Sequence, residues 1–291
     1  MNRVVISFLA LIITFSAMAN NSYWRNVRDM RRGVKIKELS LTEPRMMKAW
    51  MVRVDLKTSG IGFVTTERAD EWGEDMPDYT NKVMKIHTER ERTIDFMSRK
   101  RSEGKKVEIA VNTSPWAPWC SPWTHKWGNL NRWAVSHGVE LCAGKPSAKG
   151  AFFVVKKNGR AAIVDCVDPA LRNKVAHVHP GFTIIATNGV AIAEKEVSLH
   201  PRTALGLSRD ARYLYLLVVD GRQPKRSLGA SLSDLSKMLL EAGASDAMNM
   251  DGGGSTSLVV YDSAKKAPRM LNSHRKGAIR KVAMNLGIVF K

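Results

Sequence analysis

"YLYLLVVDGRQPKRSLGASLSDLSKMLLEAGASDAMNMDGGGSTSLVVYD" occupies residues 213–262, and its reading decides the fold. Tyr213 to Asp220 is a nearly unbroken apolar run, as a strand buried on both faces requires. Ser231 and Asp234 are placed to cap a helix carrying Leu232, Leu235, Met238 and Leu239 at helical spacing. Gly243 is placed to end it. "AMNM" and "SLVVY" then read as strands on either side of Asp251-Gly252-Gly253-Gly254-Ser255-Thr256. That turn has two readings. One is a plain tight turn. The other is an anion cradle, because glycine lacks a Cβ and lets backbone N–H groups approach a phosphate closely. Ser255 and Thr256 would add hydroxyl donors. The lysine of a nucleotide-binding G-x-x-x-x-G-K-[ST] loop is missing.

Outward from this stretch, strands are expected at Ala49–Lys57 and Lys106–Val111, and another within "RKVAMNLGIVF" at the end. Hairpins are expected around Asn158-Gly159 and Asn188-Gly189, whose residues accept the positive φ of tight turns. Thr88 with Glu91 resembles a capping box before "RTIDFMSRKR", with Gly104 as the stop. Glu67–Tyr79 reads as an acidic loop, and the basic residues 20–45 as an N-terminal extension. The sum is an α/β (α+β) fold, a mixed β-sheet with hairpins and packed helices, in a single domain over residues 46–291.

The 291 residues are 44% hydrophobic and 25% charged, which is globular composition. Asn2-Arg3, the apolar Val4–Phe15 run and Ala17-Met18-Ala19 make residues 1–19 a secretory signal peptide, with an uncleaved anchor as the alternative. No later stretch is long enough to cross a membrane. The expected location is secreted or periplasmic. A net charge of +19 attracts anionic partners. Export argues against nucleic acid, so anionic cell-surface polymers fit better; a merely solvated basic surface is the alternative. Cys120 and Cys142 bracket one loop and are expected to pair, leaving Cys166 free. Trp116, Trp119, Trp123, Trp127 and Trp133 form either a sugar-stacking platform or a small satellite core. His125, His137, His177 and His179 have no convincing metal spacing, and the last two read as a solvated pair.

Residues 200–290 carry a pattern: Arg202-Thr203 with Gly206, then Asp220-Gly221-Arg222, Gly229, the helix, Asn249-x-Asp251-Gly252-Gly253-Gly254-Ser255, Asn272, and Arg280-x-Val282. This resembles the phosphodiester glycosidase family, the N-acetylglucosamine-1-phosphodiester α-N-acetylglucosaminidase-like domain, and a looser resemblance begins near residue 45. The family usually has Asn-Gly-Gly where this chain has Asn112-Thr113-Ser114. The resemblance implies hydrolysis of a carbohydrate phosphodiester at the anomeric bond. Asp220 and Asp251 would be the catalytic carboxylates, their roles left open. Asn112, Arg202, Thr203, Arg222, Gly252, Gly253, Gly254, Ser255, Thr256 and Arg280 would bind substrate. No cofactor is required by this reading; a divalent cation near Asp251 rests on the resemblance alone. The alternative function is a non-catalytic binder of anionic or cell-wall glycans.

Overall fold

A computed structural model of the chain describes residues 22–77, 83–120, 123, 125–144, 149–166, 168–192 and 197–291. The signal segment, its cleavage site and the end of the acidic loop at Tyr79 lie outside them. The principal elements are β1 (Val34–Leu41), β2 (Met47–Asp55), β3 (Ile61–Thr65), α1 (Thr93–Ser102), β4 (Val107–Asn112), β5 (Ala151–Lys156), β6 (Val175–Gly181) and β7 (Thr183–Thr187). They continue with β8 (Arg202–Leu207), β9 (Tyr213–Val219), α2 (Leu232–Ala242), β10 (Asp246–Asn249), β11 (Leu258–Asp262), β12 (Ala267–Met270) and β13 (Asn285–Phe290).

The apolar run is the centre of the fold. As β9 it pairs antiparallel with β2 on one side and β8 on the other. The eight-stranded sheet runs Asp29–Arg31, β1, β2, β9, β8, β10, β7, Val190–Ala191. Two five-stranded sheets accompany it: β12-β11-β4-β13-β3, and one in which Val139–Cys142, Ala134–Ser136, β6, β5 and Ala161–Val164 are neighbours in that order. Successive side chains of β9 serve two cores. Leu214, Leu216 and Val218 meet Ile109 and Leu286 of the second sheet and Phe153 of the third. Tyr215, Leu217 and Val219 pack under Leu235 and Leu239 of α2. Each fully buried side chain of this size contributes roughly 1.5–3 kcal/mol. On the second sheet, α1 covers Val107, Ala110 and Val259 with Phe96 and Met97.

The local signals divide by how far they depend on distant partners. The α2 capping box forms, with Asp234 N–H donating to Ser231 Oγ at 3.2 Å and Ser231 N–H to Asp234 Oδ2 at 2.8 Å. Gly243 ends the helix at φ 108°. Both hairpins form; Asn188 and Gly189 take φ 55° and 83°, whereas at the other turn Gly159 takes φ 80°. The capping box before α1 does not form. Arg92 is the N-cap residue and its side chain binds Asp95, while the Thr88 hydroxyl is drawn to Ala283 O at 2.8 Å. The stretch expected to precede the fold instead enters it, because "VKIKELSL" alternates and β1 pairs along β2 from Val34 to Leu41. The expected Cys120–Cys142 bridge is absent, and none of the three cysteines is in a disulfide. Cys142 Sγ faces Leu130 O at 3.0 Å and Cys120 Sγ faces His125 Nε2 at 3.4 Å, so the two point at different partners. No helix among the described residues is long and apolar enough to cross a membrane.

Candidate active site

The ends of β4, β9 and β10 meet the start of β8, and the loops attached to the four strands converge there. Asn112, the last residue of β4, is fully buried and ties three segments together. Its Nδ2 donates to Asp251 O at 2.6 Å, and its Oδ1 accepts from Thr203 Oγ1 at 2.7 Å and Ser257 N–H at 2.9 Å. Asp251 N–H donates to Thr113 O at 2.8 Å, and Met250 N–H to Thr203 O at 2.9 Å. Asn112 and Thr203 thus hold the glycine turn in place from below.

Three of the turn's amides are engaged within the backbone. Gly253–Ser255 is a tight helical turn in which Gly253 N–H donates to Pro201 O at 2.8 Å and Ser255 N–H to Gly252 O at 3.2 Å. Thr256 N–H points back to Gly253 O at 3.4 Å. The glycines supply clearance. A Cβ on Gly252 would lie 2.8 Å from Pro201 O. One on Gly253, which also holds φ 61°, would lie 3.3 Å from Arg222 Nη1, and one on Gly254 would lie 3.0 Å from Arg280 Nη2. Two guanidinium groups therefore lie directly on the bare backbone of the turn.

Those arginines are held from outside. Arg222, at φ 58°, has Nη2 3.1 Å from His200 Nδ1. Arg280 packs over the Trp123 ring, 4.1 Å from its centroid. Burial pushes the Arg280 guanidinium below its usual value; the Asp251 charge opposes this and the Arg222 charge adds to it. An anion between the two arginines would relieve their repulsion. Arg202 also reaches backbone carbonyls: its Nε donates to Ala230 O at 3.1 Å and Nη2 to Ser198 O at 3.2 Å.

The two aspartates differ sharply. Asp220 is fully buried with both oxygens engaged, Oδ2 by Arg226 Nε at 2.9 Å and Oδ1 by Ser273 N–H at 2.8 Å. Burial raises its pKa against the pull of Arg226 and Ser273. Asp251 is also fully buried, behind the turn. Trp116 Nε1 donates to Oδ2 at 3.2 Å, and among the described residues Oδ1 has no hydrogen-bond partner; nor do Ser255 Oγ and Thr256 Oγ1. Burial pushes the Asp251 carboxyl up to about 7, opposed by the neighbouring Ser255 hydroxyl, the Arg280 charge and the Trp116 indole. The Ser255 hydroxyl stands beside the carboxyl outside regular hydrogen-bond geometry.

Two cavities adjoin across the turn and share Trp123, Arg222, Gly253, Gly254 and Arg280. The larger, about 780 Å³, also takes in Thr256, His274, Arg275 and Lys281. The smaller, about 470 Å³, takes in Trp119, Phe182, His200 and Arg202. Together they form one cleft with the arginine pair at its seam. Of the five tryptophans, Trp119 and Trp123 face this cleft, while Trp116 and Trp133 are core. His177 and His179 are buried and not solvated; His179 Nδ1 meets Thr113 Oγ1 at 2.9 Å. His274 lines the cleft and was not singled out by sequence; its Nε2 lies 3.3 Å from Ser257 Oγ. Around Asp251 the neighbours are an arginine, an indole and a hydroxyl, and among the described residues no group of three or more His, Cys, Asp or Glu is placed to hold a metal. That donor set does not suit a divalent cation, which takes several oxygen ligands.

A family model described as phosphodiester glycosidase matches residues 124–289, more than half of the chain. The chain belongs to this family. No curated protein matches it. Among solved structures, this phosphodiester glycosidase family member is similar to the catalytic domain of zebrafish N-acetylglucosamine-1-phosphodiester α-N-acetylglucosaminidase, auto-inhibited by its pro-peptide. There the TM-score is 0.59 at 17% identity, over 91% of this chain and 87% of that one. A hypothetical protein from Synechocystis is similar at TM-score 0.58 and 10% identity, over 89% and 62% of the two chains. A putative exported protein from Burkholderia pseudomallei is similar at TM-score 0.56 and 13% identity, over 84% and 74%. At these identities the likeness is one of fold.

Proposed function

We propose that this protein hydrolyses a glycosyl phosphodiester, a sugar joined through its anomeric carbon to phosphate, in a glycan or wall polymer outside the cytoplasm. One observation carries the reading: Arg222 and Arg280 lie on the bare glycine turn at the seam of a cleft, with the Asp251 carboxyl behind it. A phosphodiester needs its charge held more than it needs a strong acid, and paired guanidinium groups suit that task. In the proposed reaction water attacks the anomeric carbon and the carbon–oxygen bond breaks. The electron pair leaves on the phosphate oxygen, giving a phosphomonoester held by the arginines. The proton lost by water passes to Asp251, whose pKa of about 7 suits transfer near neutral pH. Asp220, with both oxygens engaged, is a positioning residue that anchors the Ser273–His274 segment.

By likeness to the zebrafish enzyme, the first sugar to test is N-acetylglucosamine. Incubation with the methyl ester of N-acetylglucosamine 1-phosphate should release the free sugar and methyl phosphate, followed by phosphorus NMR. No release from this or other glycosyl phosphodiesters overturns the reading. The second reading, glycan binding without turnover, is favoured by the complete burial of Asp251; ligand binding without hydrolysis is its signature. Export belongs to the same proposal: the mature protein from its native host should begin at Asn20 by intact mass, and a full-length cytoplasmic product overturns that part.

A further inference from the structure

The two halves of the cleft differ in chemistry. Besides the shared residues, the smaller half presents Trp119, Phe182, Leu232 and Met250, an aromatic and aliphatic wall suited to a sugar ring. The larger half presents Arg275 and Lys281, both exposed, together with His274. Its carboxylate, Asp95, is already bound to Arg92, by Nη2 at 2.8 Å. The larger half therefore has positive charge beyond what the scissile phosphate would take up at Arg222 and Arg280.

We infer that the aglycone of the substrate carries a second phosphate, bound in the larger half of the cleft by Arg275 and Lys281, while the sugar lies against Trp119 and Phe182. This rests on the reading of the site as one for glycosyl phosphodiesters, and it narrows the substrate to a compound with anionic groups on both sides of the aglycone's linking carbons. Repeating phosphodiester glycans have that chemistry. A neutral alcohol as aglycone does not.

The test compares two ligands: the methyl ester of N-acetylglucosamine 1-phosphate, and its counterpart with a 2-phosphoethyl group in place of methyl. Calorimetry on the parent should show the 2-phosphoethyl ester binding about tenfold tighter, with the advantage shrinking as salt is raised, as expected for part-exposed charges. In the double variant Arg275→Ala/Lys281→Ala the ratio of the two affinities should fall to near one. Circular dichroism checks that the variant is folded, and both positions are exposed. The variant Arg275→Lys should keep part of the advantage. Equal affinities in the parent, or an advantage that survives the double variant, overturn the inference while leaving the phosphodiester reading standing if the methyl ester is hydrolysed. If neither ester binds or is hydrolysed, both readings fall together.

Discussion

Two strand ends in this molecule carry the same two letters, Asp-Gly, and have opposite chemistry. At the end of β9, Asp220 is met by a guanidinium and a backbone N–H, so each of its oxygens has a partner. At the end of β10, Asp251 is just as buried, yet Oδ1 has no partner among the described residues and its carboxyl is pushed up to about 7. A satisfied buried carboxylate organises the chain around it. An unsatisfied one is held at a cost and is the better candidate for proton transfer. The difference lies in what the surrounding loops supply, since the local sequence signal is the same.

The comparison is broken most directly by exchanging the charge at each site. Asp251→Asn keeps the shape and removes the proton acceptor, so kcat on a glycosyl phosphodiester should fall by about 10³-fold, within the range general-base catalysis supplies. Binding should change far less. Turnover close to the parent's would remove Asp251 from the mechanism. Asp220→Ala should act on the fold instead. It deletes the acceptor of Ser273 N–H and of Arg226, at a cost of about 1–3 kcal/mol. That corresponds to a fall in Tm of roughly 2–12 °C for a domain of this size. An unchanged Tm with lost turnover would make Asp220 the catalytic carboxylate.

A third variant sharpens the contrast by testing what the glycine turn is for. Since the amides of Gly253, Ser255 and Thr256 are already used, the phosphate should depend on the guanidinium groups laid over the turn. Arg222→Ala should weaken the methyl ester of N-acetylglucosamine 1-phosphate about tenfold, near 1.4 kcal/mol. Arg222→Lys should recover part of this, because an ammonium keeps the charge and loses the planar fork. Equal affinity in all three proteins would return the glycine run to an ordinary turn.

How much of this was legible in the sequence depends on whether the signal is local. The β9 run, the α2 capping box and the Asn188-Gly189 turn are local, and each folds as its residues indicate. The β1 strand was hidden because Lys35, Lys37 and Glu38 make "VKIKELSL" look like a solvated tail; only its pairing with β2 shows that alternate residues face the core. Thr88 and Glu91 had capping-box spacing, but tertiary partners at Ala283 and Arg99 claimed both side chains. In the site, the turn residues and Asn112 were found by their resemblance to a family pattern. The contacts that set their chemistry join residues far apart in sequence, such as Trp116 with Asp251 and Ser273 with Asp220. No periodicity or motif encodes these. The departure at Thr113-Ser114 likewise makes sense only in three dimensions, where Thr113 braces Asp251 through its carbonyl and meets His179 through its hydroxyl.

The last expected effect concerns the proton on Asp251 itself. Its carboxyl is raised from 3.8 to about 7 by burial, so between about pH 4 and 7 the folded protein keeps a proton that the unfolded chain has released. The stability due to this group is therefore complete below about pH 4 and is lost as pH rises towards 7. His177, pushed by burial down to about 3, and His179, pushed well below its usual 6.5, act in the opposite sense. Below about pH 6.5 the unfolded chain takes up protons that these folded histidines refuse, so their contribution makes stability rise with pH from about 3 to 6.5. The parent's own pH profile mixes the two and cannot isolate either. The Asp251→Asn variant keeps both histidines and loses only the carboxyl. The Tm of the variant minus that of the parent should thus climb steadily between pH 4 and 7 and then level off. Scanning calorimetry of the pair at half-unit steps measures it. A flat difference across that range would mean that Asp251 titrates as an ordinary carboxylate, and the contrast with Asp220 would then rest on geometry alone.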